Sequence, residues 1–319
     1  MSNLTTSNMN YRDIIKSRDL RIKILSYLSW IPDGIMLRLQ YWMQTGRHLD
    51  LENPRRFTEK IQVYKMKYRN PNMLRCTDKY EVRSYVKEKG LGDYLIPLIG
   101  IYDRVDKIDF NHLPNQFVAK TTDGGGGNQV LVVRDKSKLV YLDFVKQLDK
   151  WMAMPKSKAV GREWAYENHY PRRILIEHLI GDGMSKDIPD YKFFCFNGEP
   201  HYCQVIQNRS IKETIDFYDM EWKHMPFYGL NPNSGPAAKP AAKPAAKPLK
   251  LAKMIDIARN LSKEFPFARI DLYGVESAVY FGEVTFYPAS GYGVFTPDRW
   301  DEILGDLFEC DFFAKTIKS

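Results

Sequence analysis

The chain has 319 residues, 44% hydrophobic and 27% charged, the composition of an ordinary soluble globular protein with two domains or one elaborate one. Lys and Arg outnumber Asp and Glu 47 to 39, a formal charge of +8, which favours an anionic partner: a phosphorylated metabolite, an acidic sugar, a membrane surface or nucleic acid. The basic residues are scattered rather than striped, which argues against nucleic acid. Cys76, Cys195, Cys203 and Cys310 show no CxxC spacing and no histidine pattern for zinc, so reduced thiols and a cytoplasmic location are expected. The opening MSNLTTSNMNYRDIIKSRDL lacks the apolar run of a secretory signal or transit peptide.

From Leu20 to Met43 the chain is rich in apolar and aromatic residues, and Pro32, Asp33 and Arg38 break it well short of a membrane span. Two short amphipathic helices are expected, packed on the protein or, as the alternative, lying on the cytoplasmic face of a membrane in peripheral contact. In CTDKYEVRSYVKEKG, Asp78 followed by Glu81 resembles a capping box, opening a helix that ends near Gly90 with Lys79 in its first turn. QFVAKTTDGGGGNQVLVV predicts two strands around a glycine turn, and a helix is expected around Leu142 to Met152. RRILIEHLIGDG predicts a continuous apolar strand, and DIPDYKFFCFNGEPHYCQVIQNRS a hairpin turning at Asn197 and Gly198. FYDMEWKHMPF is expected to add a short strand with its turn.

Between Pro236 and Pro248 the chain repeats PAAK three times, ending on a fourth proline. A proline every fourth residue forbids a helix and favours a passive linker or solvated surface loop, with a basic tether to an anionic surface as the alternative. A helix is expected from Leu249 to Glu264, delivering the chain into a hairpin in ARIDLYGVESAVYFGEVTFYPASGYG. On its first strand Arg269 and Asp271 share one face, and on its return strand Glu283 and Thr285 do. The tail from Asp298 starts as a helix.

Several of these residues fit chemistry as well as structure. Gly124, Gly125, Gly126 and Gly127 let successive backbone N–H groups converge on an anion, with Lys120 just upstream; no GK[ST] follows, so this is not a P-loop. Glu177 ends an apolar strand whose last backbone groups would be free for a purine edge. Lys192, flanked by aromatics, must reach solvent along its stem or meet an anion.

The order of these elements, a DK at a helix start, a lysine strand before a glycine loop, an apolar strand ending in Glu, then an R-x-D strand beside an E-x-polar strand, resembles the ATP-grasp superfamily. LDLENPRRFTEKIQVYKMKYRNPNMLRCTDKYEVRSYV, DYKFFCFNGEP, FYDMEWKHMPF and YFGEVTFYPASGYGVFTP narrow the resemblance to its TupA-like branch. That resemblance implies an α+β ATP-grasp fold of two lobes clasping ATP: a helical region at 1–75, a small lobe at 76–175 and a catalytic lobe at 176–319 carrying the PAAK loop. It implies an ADP-forming carboxylate-amine ligase with ATP and Mg²⁺, amidating a uronic acid with an amino acid or other amine in polysaccharide biosynthesis. A glycosyltransferase using a nucleotide sugar is the rival, against which no suitable DxD triplet appears. Carried onto this sequence, Lys79, Lys120, Lys192 and Gly124 to Gly127 would meet the phosphates. Glu177 and the main chain of His178, Leu179 and Ile180 would meet adenine. Asp271, Glu283 and, more loosely, Thr285 would hold Mg²⁺, and Arg269 would stabilise the transferred group. Arg209, Ser290 and Gly291 would grip the acceptor.

Overall fold

The computed structural model describes residues 17–125, 127, 129–154, 161–167, 170–181, 188–207, 213–230, 243–275 and 278–313. Two helices open it, α1 (Arg18–Tyr27) and α2 (Asp33–Thr45). Ser17 caps α1 by accepting from Leu20 N, Pro32 starts α2, and Gly46 ends α2 in the left-handed conformation that a side chain resists. Three helices follow: α3 (Phe57–Lys67), α4 (Pro71–Thr77) and α5 (Val82–Glu88).

The small lobe is a four-stranded antiparallel sheet in the order β1-β4-β2-β3, from Leu98–Tyr102, Ile174–His178, Phe117–Thr121 and Val130–Val133 respectively. One face is covered by α6 (Tyr141–Ala153), whose Phe144, Leu148 and Trp151 recur at helical spacing and pack with Phe117, Ala119, Val133 and Ile176. Alternation along β2 buries Phe117, Ala119 and Thr121 and turns Lys120 to the other face.

The large lobe is a five-stranded sheet, β10-β9-β5-β6-β7, antiparallel throughout. Its strands are β5 (Asp190–Phe196), β6 (Glu199–Gln207), β7 (Thr214–Tyr218), β9 (Phe267–Val275) and β10 (Ala278–Thr285); β8 (Tyr228–Gly229) and β11 (Phe295–Thr296) form a small separate ribbon. The β5–β6 turn uses Asn197 and Gly198, both at positive φ, as a tight hairpin of matching twist requires. Helix α7 (Leu251–Ser262) lays Leu251, Met254, Ile257, Ala258 and Leu261 on the sheet, and α8 (Arg299–Leu307) packs on α3.

The helical segment is not a separate body. Phe57, Ile61 and Tyr64 of α3 and Met73, Cys76, Val82 and Tyr85 of α4 and α5 belong to the same core as the large sheet. The expected break at residue 75 therefore falls inside one packed unit, because the apolar faces of these helices have the large sheet as their partner. Within the PAAK stretch, residues 236–242 lie outside the described residues, but its end is docked: Trp222 Nε1 donates to Ala245 O at 3.0 Å, and Ala245 N donates to Tyr218 Oη at 2.5 Å. The described end is thus a largely exposed surface loop anchored at Ala245, where the stacked Tyr218 and Trp222 rings offer an apolar seat with polar tips.

Candidate functional site

The β9–β10 hairpin and the adjoining β5 strand build the floor. The register sets Glu283 opposite Asp271, Thr285 opposite Arg269, and Lys192 opposite Asp271 from the other side. Arg269 Nε donates to Asp271 Oδ1 at 2.7 Å and its NH2 to Oδ2 at 2.8 Å, a two-pronged pairing; NH2 also donates to Thr285 Oγ1 at 3.0 Å. Lys192 Nζ pairs with Asp271 and, at 2.7 Å, with Asp190. Lys192 thus meets anions rather than reaching solvent, and is 8% exposed. Burial works against the Asp271 charge, but Arg269 and Lys192 outweigh it and hold the carboxyl below its ordinary range. Burial likewise works against the Arg269 charge, and Asp271 with Glu283 more than compensates, so the guanidinium stays charged.

The Glu283 side chain is half-buried and makes no hydrogen bond or ion pair among the described residues, so none of these claims its carboxylate oxygens. No three or more His, Cys, Asp or Glu side chains among the described residues are placed to hold one metal ion together, so a metal here would draw on Asp271 and Glu283. That donor set, with the Thr285 hydroxyl beside it, fits a hard ion such as Mg²⁺, which binds through one or two carboxylates and completes its shell with phosphate oxygens and water.

The roof is the DK turn and the glycine loop. Asp78 Oδ1 accepts from Tyr80 N at 2.8 Å and Glu81 N at 2.9 Å, capping the turn that precedes α5, so Lys79 sits just before the helix rather than in its first turn. Lys79 N donates to Thr122 O at 2.9 Å, and Lys79 Nζ donates to Gly124 O. Burial pushes the Lys79 ammonium below the usual lysine range and Lys120 adds to the shift, while Glu283, Asp78 and Asp123 oppose it. A Cβ at Gly124 would lie 2.7 Å from Thr121 Oγ1 and 2.9 Å from Gln129 Oε1, and Gly127 has φ +74°, so both positions demand glycine. Gly125 is described, and Gly126 lies outside the described residues.

At the lobe junction Lys120 and Glu177 are diagonal neighbours on one face, since Lys120 pairs with Leu175 and Val118 with Glu177. Their charges meet at 2.6 Å, and Arg83 holds the other Glu177 oxygen at 3.0 Å. His178 N donates to Pro97 O at 3.0 Å, so its N–H is committed, and Leu179 and Ile180 lie beyond the strand end. Ser290 and Gly291 sit in a left-handed turn with φ +55° and +65°. Lys65 Nζ donates to Ser290 O at 2.8 Å and Ser290 Oγ at 2.9 Å, and Gln62 Nε2 donates to Gly291 O at 2.9 Å. Helix α3 thus pins this turn from below. Arg209 lies outside the described residues.

The sequence model of the TupA-like ATP-grasp family matches residues 59–309, which takes in the roof, the junction, the floor and the pinned turn. The chain belongs to the TupA-like ATP-grasp family. No curated protein matches it significantly. Among solved structures, it is similar to a D-alanine–D-alanine ligase from Bacillus anthracis at 16% identity, covering 75% of this chain and 66% of that one with a TM-score of 0.44. The corresponding ligase from Helicobacter pylori gives 14% identity, 72% and 61% coverage and a TM-score of 0.37. The ATP-grasp ligase PsnB, solved with Mg and ADP, gives 8%, 72%, 57% and 0.39. The chain spans about two thirds or less of the length of these neighbours.

Three parts of this ATP-grasp site escaped the sequence reading. Asp190 is the second carboxylate on Lys192, and the D-x-K spacing on one strand face was a usable signal. Arg83 on Glu177 and Arg172, whose Nε bridges both Asp123 oxygens at 2.9 Å, join segments 94 and 49 residues apart, and no local pattern announces such pairs.

Proposed function

We propose that the chain is an ADP-forming carboxylate-amine ligase that joins a uronic acid unit to an amino acid or other amine during polysaccharide biosynthesis, working in the cytoplasm where ATP is supplied. The observation that carries this reading is the floor itself: a carboxylate that no described residue claims, Glu283, opposite a buried Asp271 that is held ionised by Arg269 and Lys192. Lys79, Lys192 and Lys120 would meet the phosphates together with the glycine turn, and Leu179 and Ile180 would present main-chain groups to adenine. Asp271 and Glu283 would hold Mg²⁺, with Thr285 as a looser donor because Arg269 already uses its hydroxyl. Bound there, Mg²⁺ supplies charge neutralisation on the phosphate oxygens.

Arg269 carries a guanidinium fixed on the floor and would stabilise charge on the transferred phosphoryl group. The substrate carboxylate oxygen attacks the γ-phosphorus and the bond to ADP breaks, leaving an acyl phosphate. The amine then forms the C–N bond, inorganic phosphate leaves with the C–O electron pair, and the amine proton passes to solvent. Ser290 and Gly291 would place the acceptor through the rigid turn they share, with Arg209 as a further contact.

Incubation with ATP, Mg²⁺ and panels of UDP-uronates and amines, read by mass spectrometry, tests the proposal. The expected product is an amide with one ADP released per bond formed. Sugar transfer without ATP consumption would replace the ligase by the glycosyltransferase reading.

A further inference from the structure

Helices α1 and α2 carry the same surface pattern twice. On α1, Leu20, Lys23, Ile24 and Tyr27 are exposed at i, i+3, i+4 and i+7; on α2, Ile35, Arg38, Leu39 and Trp42 are exposed at the same spacing. That spacing puts each set on one helix face. Between them in the chain stands Trp30, 78% exposed, beside Tyr27 at 81%. Each stripe reads apolar, basic, apolar, aromatic, and neither contains a carboxylate. The opposite face of α2 is committed to the protein: Met36, Leu37, Gln40 and Tyr41 are buried there, and Tyr292 Oη donates to Gln40 Oε1 at 2.8 Å. The joint between the helices is held too, since the buried Arg162 donates to Leu28 O at 2.9 Å, Ser29 O at 3.2 Å and Asp33 Oδ1 at 2.8 Å. The α2 stripe is thus the outward face of a helix whose inner face is packed, and the joint that leads from α1 into it is held.

We propose that this paired stripe is a docking surface for an anionic lipid bilayer, holding the enzyme in the headgroup layer without crossing the membrane. No helix among the described residues is long and apolar enough to cross. Aromatic side chains with polar tips and basic side chains with long apolar stems are the groups that a headgroup interface accommodates, burying rings and stems while indole N–H, phenol and cation stay wet. Charge complementarity selects lipid over a second copy of this chain. A self-complementary interface would bring Lys23 and Arg38 of one copy against those of the other or against apolar surface, with no carboxylate in either stripe to answer them. Anionic headgroups answer both, and the net charge of +8 adds long-range attraction.

The proposal is independent of the ligase reading, and the test needs no substrate. The full chain is sedimented with vesicles of phosphatidylcholine alone and with about one third phosphatidylglycerol, a composition that carries the surface charge the stripe would meet. Binding is expected to the anionic vesicles and to weaken with salt. Trp30→Ala with Trp42→Ala should lower the partition constant about tenfold or more, and Lys23→Ala and Arg38→Ala about fivefold each. Melting temperature is measured for every variant, and the lysine and arginine changes, on exposed side chains, keep the test valid if the double tryptophan variant folds poorly. Absence of binding to any vesicle overturns the proposal, as does binding that these variants leave unchanged. Light scattering supplies the remaining arm: a dimer that the same variants dissociate would assign the stripe to a second copy and overturn the lipid assignment.

Discussion

Glu283 and Asp271 face each other across one hairpin, yet the structure gives them opposite mechanical weight, and that contrast separates a metal site from a packing motif. Asp271 is 2% exposed and is gripped by two Arg269 nitrogens and by Lys192. Asp271→Asn strands the buried Arg269 guanidinium and leaves Lys192 with Asp190 alone, and breaking a buried pair from one side costs about 3–5 kcal/mol. At roughly 2 °C per kcal/mol for a chain of this size, the melting temperature should drop by about 6–10 °C. Glu283 makes no hydrogen bond or ion pair among the described residues, so Glu283→Gln loses only its attraction to Lys79 and Arg269, about 1 kcal/mol or less. Its melting temperature should stay within about 2 °C of wild type. If Glu283 holds Mg²⁺, ADP release in that variant should nevertheless fall by about 10²-fold or more, the scale of losing one preorganised charge at a reacting centre. The assay pairs ADP release and thermal melting with a Mg²⁺ titration of binding to a non-hydrolysable ATP analogue, in which Glu283→Gln should shift the midpoint to higher Mg²⁺. Near-normal turnover with an unshifted titration would refute the metal assignment. A melting temperature as low as that of Asp271→Asn would refute the reading of Glu283 as a group outside the packing.

Arg269→Lys keeps a positive charge on Asp271 but loses the second prong and the Thr285 bond at 3.0 Å, so ATP-analogue binding should persist while ADP release slows about 10²-fold; parallel loss of binding and turnover would reduce Arg269 to a structural group. Lys65 is buried and its pKa is pushed down to about 8 from 10.5, by burial acting against the pull of Glu163. Between those two values the unfolded chain binds more protons at this site, so its contribution to stability rises with pH from about 8 towards 10.5 and is unchanging below that window. Denaturation of wild type and Lys65→Met across pH 7 to about 10.5 should therefore show a stability difference that moves in favour of wild type as pH rises; a constant difference would place the Lys65 titration elsewhere.

The fold was legible where chemistry is local. The glycine turn between β2 and β3, the Asn197–Gly198 hairpin and the helix in which Asp78 caps the preceding turn all depend on residues within a few positions of each other, so spacing was enough to place them. The same holds for the face shared by Arg269 and Asp271, which strand alternation dictates. What was not legible depends on partners distant in sequence. The helical region was bounded at residue 75 because nothing in the local periodicity says that Phe57 and Tyr64 pack among Phe194, Phe267, Tyr287 and Phe308. Lys192 left two outcomes open for the same reason: a lysine among aromatics reaches solvent or meets an anion according to what two other strands place beside it, and here β9 supplies Asp271.

Under the ligase reading, the cations of the site also fix how nucleotide would bind. Lys79 donates to Gly124 O, Lys120 to Glu177, and Lys192 to Asp190 and Asp271. A triphosphate would therefore exchange partners with protein oxygens instead of finding bare charges, and the affinity it gains is the difference between two sets of charge-assisted bonds. The three exchanges are unequal. Lys79 gives up a neutral carbonyl, whereas Lys120 gives up a carboxylate that Arg83 also holds, and Lys192 gives up one of two carboxylates on a floor where Arg269 can still neutralise Asp271. The least costly exchange is thus at Lys79, on the roof, and the next is at Lys192, where Arg269 makes the release tolerable. The Lys120–Glu177 pair, 2.6 Å apart at the lobe junction, can be exchanged on the same ground, since Arg83 still neutralises the buried Glu177 when Lys120 leaves. On this physical ordering all three lysines would turn to the phosphates under the ligase reading, Lys79 at the least cost because it gives up no charged partner.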